Sequence, residues 1–180
     1  MDQENSRLQI SPNERRDTNS AAKTSTDSPG VIVFPPALLL GTILLSVLLN
    51  LIWPLYFTPM AWMKVAGGLL FILGGFLAGW GRRTMVRAGT NVPPHKPTLA
   101  VVTNGPFRFT RNPLYCGGTV AYIGLSVGFN LIWALILMVP MLWVLNWGIV
   151  RREERYLEKK FGDSYLAYKA RVPRWFRIQV

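Results

Sequence analysis

The chain has 180 residues, of which half are apolar, only 16% are charged and seven are tryptophan. That profile excludes a polar, water-soluble protein and describes a small integral membrane protein. Lys and Arg outnumber Asp and Glu by 20 to 9, but the cations border long apolar runs, so the surplus reads as membrane-flanking charge and no nucleic-acid partner is expected.

Residues 1–30 are polar, mixed in charge and rich in Ser, Thr, Asn and Asp. Such a segment buries too little apolar surface to offset its ordering entropy, so it is expected to be a disordered cytosolic tail. It lacks the short apolar core of a cleaved signal peptide, and the first span is read as an uncleaved anchor. Residues 31–180 are expected to form a single membrane domain.

The run 36–57 carries no charge and is long enough for a hydrocarbon core of about 30 Å at about 1.5 Å per residue, which makes it the first span. The run 61–81 is the second, with Lys64 able to snorkel to the interface. Gly75 and Gly79 give it small-xxx-small spacing, as Gly124 and Gly128 do further on. That spacing lets helix backbones approach closely, inside one bundle rather than in a homodimer seam, so a monomer is slightly favoured.

Segment 82–113 contains six Lys or Arg and no acid. The chain's one histidine, His95, lies in its Pro-rich PPHKP and reads as a solvated loop residue; with one cysteine, Cys116, it cannot complete a four-ligand zinc site. Residues 104–118 then read NGPFRFTRNPLYCGG, an unusual density of arginine and aromatic side chains for a loop. From Leu114 to Val150 there are 37 residues without a charge, which as one helix would extend about 55 Å, so they must fold back. Gly128, Phe129 and Asn130 mark the turn, giving a tight hairpin of spans 114–129 and 131–150. Cys116 reads as a small packing residue, and Pro140 is expected to kink the last span.

Segment 151–180 continues that span with strong helix formers as far as Lys160, meets Gly162, and has Asp163 as a possible cap for a second short helix to about Ala170 before Pro173. Glu153 and Glu154 project about 100° apart, so that one can face a site and the other a cation. Nine Lys or Arg stand here, against only Lys64 in the two opposite loops. The positive-inside rule therefore puts 82–113, 151–180 and both termini in the cytosol, with a bacterial inner membrane as the expected location. The fold expected is all-α: a polytopic membrane helical bundle of about four transmembrane helices. Arg108 and Arg111, three residues apart before a proline, converge with the distant acid pair in a pattern suited to a zwitterionic ligand.

These residues resemble the membrane-embedded methyltransferases of the isoprenylcysteine carboxyl methyltransferase and phospholipid methyltransferase type. The resemblance runs from about Gly89 to Trp175 through Thr103 to Phe109, Arg111 to Tyr115, Glu153-Glu154, Phe161-Gly162, Tyr165, Tyr168 and Arg171 to Arg174. It implies S-adenosyl-L-methionine as cofactor and a hydrophobic or lipidated methyl acceptor in the bilayer, a carboxylate above all. Carried over residue by residue, the cofactor contacts fall on Leu99, Ala100, Val101, Val102, Phe107, Asn112, Pro113, Leu114, Tyr115 and Glu153, to which the pattern of charge adds Arg108 and Glu154. Arg111 and Asn112 are the candidate catalytic residues. Phe107, Tyr115 and Trp147 are candidates for stacking on adenine or facing the positive sulfur. The eukaryotic carboxyl methyltransferases have His where this chain has Asn112, which cannot titrate, and an Arg for the substrate carboxylate where Ile149 stands. Membrane sterol reductases, which use a nicotinamide cofactor, share the resemblance in their C-terminal half, and a non-catalytic scaffold is the third reading.

Overall fold

The structure is a computed structural model, and it describes residues 28–57 and 61–176. Nearly all of the tail expected at 1–30 lies outside the described residues. Within them every regular element is helical, in agreement with the all-α expectation.

The first helix, α1, spans Pro35–Ile52. Proline suits its first turn, where the N–H would be unpaired anyway. It ends five residues short of the expected Phe57, because Pro54 drives Trp53 out of the helical region, to φ −137°. Helix α2, Ala61–Arg87, overruns its expected end at Gly81. The arginines there do not break a helix; Gly89, at φ +70°, ends the turn beyond Arg87. Helix α3 is Pro113–Gly128 and α4 is Ile132–Val144. The hairpin between them falls at the expected turn, with Asn130 at φ +56°. Asn130 also ties the two loops at that end together, accepting from Phe57 N at 2.9 Å and donating to Phe57 O at 3.1 Å.

Beyond Val144 the helix continues through a π-helical stretch, Leu145–Val150, into α5, Arg151–Phe161. Pro140 lies inside α4 and leaves the carbonyl four residues earlier without its usual donor. Gly162, at φ +51°, separates α5 from α6, Asp163–Arg171. Asp163 is the first residue of α6 and makes no capping hydrogen bond; Gly162 takes the cap position instead. Asp163 nevertheless suits the positive end of the helix dipole.

Among the described residues three helical runs are long and apolar enough to cross a membrane: Pro35–Ile52, Ala61–Arg87 and Ile132–Phe161. The expected third span, α3, has 16 residues, about 24 Å, and is short of that length.

The main helix–helix seam joins α2 to α3. The buried residues of α2 are Gly67, Gly74 and Gly81, spaced by seven; Gly67 and Gly74 face Gly117, Ala121, Gly124 and Gly128 of α3, and Gly81 faces Pro113 and Leu114 at its start. A Cβ on Gly124 would lie 2.5 Å from Phe71 N, and one on Gly117 2.6 Å from Ala78 N. Gly75 and Gly79, the pair expected to pack, face open space instead. Helix α1 packs on α4 around the almost fully buried Met141, and Tyr122 Oη of α3 donates to Ala134 O at 2.9 Å. The outward surfaces carry Leu69, Ile72, Phe76, Val139 and Trp143, well exposed, as a chain in hydrocarbon requires.

Candidate functional site

A cavity of about 120 Å³ opens at the end of the bundle where α2 stops, α3 starts and α5 and α6 meet. Loop segments and residues of α2, α3, α5 and α6 line it.

The Pro-rich loop after α2 has few N–H groups of its own, so side chains pin it. Asn91 Nδ2 donates to Pro97 O at 2.8 Å, Leu99 N to Thr90 Oγ1 at 2.9 Å and Thr98 N to Tyr156 Oη at 3.2 Å. The loop thereby presents Ala100, Val101 and Val102 to the cavity. Next comes a 3-10 turn, Gly105–Arg108, that begins at φ +57° and approaches α2 so closely that a Cβ on Gly105 would lie 2.8 Å from Thr84 Oγ1. The turn drives Phe107 inward, to 8% exposure, while Phe109 stays exposed. Tyr168 Oη donates to Phe107 O at 2.8 Å and locks the turn onto α6.

Pro113 at the start of α3 places Asn112, Leu114 and Tyr115 along the cavity wall. The two adjacent acids diverge, as their spacing requires. Glu153 Oε1 accepts from Tyr115 Oη at 2.7 Å. Glu154, 4% exposed, is gripped by two arginines: Arg111 Nη1 lies 2.9 Å from its Oε1, and Arg174 donates from Nε to Oε1 at 3.0 Å and from Nη2 to Oε2 at 2.5 Å. The Arg111 side chain is 9% exposed. Its Nη1 is close to the carboxylate but misaligned for a hydrogen bond, and its Nε has no hydrogen-bond partner among the described residues. A buried cation with an unmade bond stands ready for an anionic group.

Tyr165 and Tyr168 close the wall at spacing i, i+3 on α6. Burial, reinforced by the Glu154 charge, pushes the Tyr165 phenol up to about 12. Burial also raises Tyr168, with Tyr165 adding to it. Both phenols therefore stay protonated and neutral near pH 7. The hydrogen bonds to Glu154 hold the Arg174 guanidinium above its ordinary value.

Of the residues singled out from the sequence, Ala100, Val101, Val102, Phe107, Arg111, Asn112, Pro113, Leu114, Tyr115, Glu153 and Glu154 come together on this cavity. Leu99 and Arg108 do not: Leu99 is 60% exposed, and Arg108 ends the 3-10 turn facing outward. Trp147 also stands apart, half-exposed, with the Arg151 guanidinium 3.5 Å over its ring. Ile149 is fully buried among Tyr115, Leu142 and Trp175, away from the cavity lining. Sequence reasoning did not assign Met85, Thr90 to Pro94, Tyr156 or Leu157 to the site. Tyr165 and Tyr168 carried a usable signal, two aromatics one turn apart just after a helix-breaking glycine.

Helical throughout its described residues, with membrane-length apolar helices and a cavity at one end of the bundle, the chain is of the class of membrane-embedded helical proteins. The chain matches the family model described as phospholipid methyltransferase over residues 62–164, more than half its length, and belongs to that family. It is 33% identical over 130 residues to protein-S-isoprenylcysteine O-methyltransferase of Rattus norvegicus and 30% identical over 129 residues to that of Homo sapiens. Each match covers 69% of this chain and 44% of the relative, so the chain corresponds to less than half the length of those proteins. An uncharacterized protein of Haemophilus influenzae is 43% identical over 62 residues, 34% of this chain and 78% of that protein. No solved structure matches the chain.

Proposed function

We propose that the chain is an enzyme that transfers a methyl group from S-adenosyl-L-methionine to a hydrophobic or lipidated acceptor in the bilayer. The single observation that carries this reading is the meeting, in one largely apolar cavity, of buried Arg111 with an unbonded Nε and Glu153 on the facing helix. A zwitterionic, partly flat cofactor needs such a set. Arg111 would receive its carboxylate, Glu153 would attract its cationic end, and Phe107, Val101, Val102, Leu114 and Leu157 would exclude water from its base.

When bound, the cofactor supplies a methyl on a positive sulfur, open to in-line displacement. The protein's part is to hold donor and acceptor in contact, which contributes roughly 7 to 11 kcal/mol toward the barrier. An acceptor carboxylate, with a reference pKa of about 4, is already nucleophilic near pH 7 and asks for no general base. That agrees with a site whose candidate at 112 is a non-titrating asparagine. The rat and human relatives are named O-methyltransferases, which favours oxygen as the atom methylated. The concentration of cations at the cavity end supports a cytosolic site, with α3 completing four passes and both termini on that side.

Thermal shift of the detergent-solubilised protein tests the cofactor. S-adenosylhomocysteine is expected to stabilise it saturably and NADPH is not; the reverse ranking would overturn the reading in favour of a reductase. Glu153→Gln keeps shape and removes charge, and is expected to weaken S-adenosylhomocysteine binding by about 1.5 to 3 kcal/mol, roughly 10- to 150-fold. Lys159→Ala, an exposed cation on the same helix, serves as the control and should bind as the unaltered protein does. Calorimetric titration reads both variants, and unchanged affinity in Glu153→Gln would remove that residue from the cofactor site.

A further inference from the structure

The last described residues double back onto the site, and one of them touches both halves of it. Arg174 sends its guanidinium to the Glu154 carboxylate on α5 and a weaker 3.5 Å contact from Nη1 to Asn146 Oδ1 in the π-helical stretch. Its backbone carbonyl goes the other way. It accepts from Thr110 Oγ1 at 2.8 Å and from Asn112 Nδ2 at 3.1 Å, while the neighbouring Pro173 O accepts from Arg111 N at 3.0 Å. The loop 110–112 and the acid-bearing helix have no other common partner of this kind among these bonds.

A backbone carbonyl can only accept, so the Asn112 amide must turn its NH₂ toward Arg174. Its Oδ1 is thereby directed away from that carbonyl, on a residue that lines the cavity. Likewise Glu154, with both oxygens engaged by Arg174, draws Arg111 Nη1 to within 2.9 Å, while the Nε of Arg111, a residue of the cavity wall, is left buried and unbonded among the described residues. Two site groups thus owe their orientation to one residue outside the cavity lining.

We propose that Arg174 is a positioning residue: it clasps the 110–112 loop to α5 and so sets Asn112 with its oxygen, and Arg111 with its free Nε, toward the bound cofactor. This rests on the cofactor reading above. The clasp itself is independent of any ligand, and the two are separated by using two readouts.

Arg174→Gln removes the charge and the two-point grip. It is expected to weaken S-adenosylhomocysteine affinity about tenfold or more in calorimetric titration, while Arg174→Lys, which restores the charge with a single contact, recovers part of the loss. Arg171→Ala is the control, since among the described residues its Nε bonds to Ala167 O on the surface of α6, and it should leave affinity unchanged. In the absence of ligand, hydrogen–deuterium exchange of the Arg111 to Cys116 amides should speed up about tenfold in Arg174→Gln. Unchanged exchange in that segment, or unaltered affinity in Arg174→Gln, overturns the proposal, as would an equal affinity loss in Arg171→Ala. If Arg174→Gln does not fold, Arg174→Lys decides alone: intermediate affinity at unaltered melting temperature supports the clasp, and full affinity overturns it. Absence of S-adenosylhomocysteine binding in the unsubstituted protein would overturn the cofactor reading instead, with the exchange data still judging the clasp.

Discussion

Gly124→Val is expected to yield little folded protein. Even a single Cβ at this position would sit 2.5 Å from Phe71 N and 2.6 Å from Gly67 O, both rigid helix backbone. The added carbon cannot rotate away, so the two helices must separate along the whole seam that Gly67, Gly74, Gly117 and Gly124 create. In a membrane there is little hydrophobic force to drive helices back together, because lipid tails are as apolar as leucine, and close backbone packing is what holds them. Overpacking of this kind costs about 1 to 3 kcal/mol for a well-placed methyl, and we expect at least about 3 kcal/mol for valine. Gly75→Val and Gly79→Val, where a Cβ meets nothing within 4 Å, should melt within a few degrees of the unaltered protein. Fluorescence-detected melting of all three in one detergent gives the comparison, and equal melting for Gly124→Val and Gly75→Val would remove the seam. The consequence reaches the site, because α3 carries Asn112, Leu114 and Tyr115 at the cavity from its first turn.

That seam also shows where sequence reasoning stops. Both glycine sets in α2 are equally visible in the chain, and the shorter spacing at 75 and 79 is the more familiar one. In a soluble helix a polar face would mark the outside, but a helix that is apolar all round offers no such mark. Only contact with α3 selects the heptad set. Local chemistry, by contrast, read well. The hairpin turn follows from Gly128 and Asn130, the break from Gly162, and the divergence of Glu153 and Glu154 from helix geometry alone. Arg108 and Arg111 were harder. Their spacing suggested that both converge with the acid pair, yet the 3-10 turn ends at Arg108 and the chain runs irregularly before Arg111, so one arginine faces outward and the other is buried. Arg174 was unreadable in another way: its partner lies 20 residues back across a helix break and a proline, and neither periodicity nor spacing links them.

The largest effect expected at the site follows from the same arginines. Glu154→Leu removes the carboxylate that neutralises Arg111, whose side chain is only 9% exposed, and leaves a buried cation without its partner. Breaking a buried ion pair from one side costs about 3 to 5 kcal/mol, since the desolvation of the remaining charge is no longer offset. The folded yield and melting temperature of Glu154→Leu should therefore fall steeply. The same principle makes a second, opposite prediction. Replacing all three members, Arg111→Met with Glu154→Leu and Arg174→Met, removes every charge that needed compensation, and apolar side chains of similar length can fill the space. The triple variant should regain most of the melting temperature lost in the single one. It should not regain S-adenosylhomocysteine binding, because the free Arg111 Nε and the oriented Asn112 depend on the ion pairs that have gone. Stability and ligand affinity thus separate within one set of variants. A triple variant that binds S-adenosylhomocysteine as the unaltered protein does would mean that the cluster is a structural brace alone, and that the cofactor's carboxylate finds its partner elsewhere in the cavity.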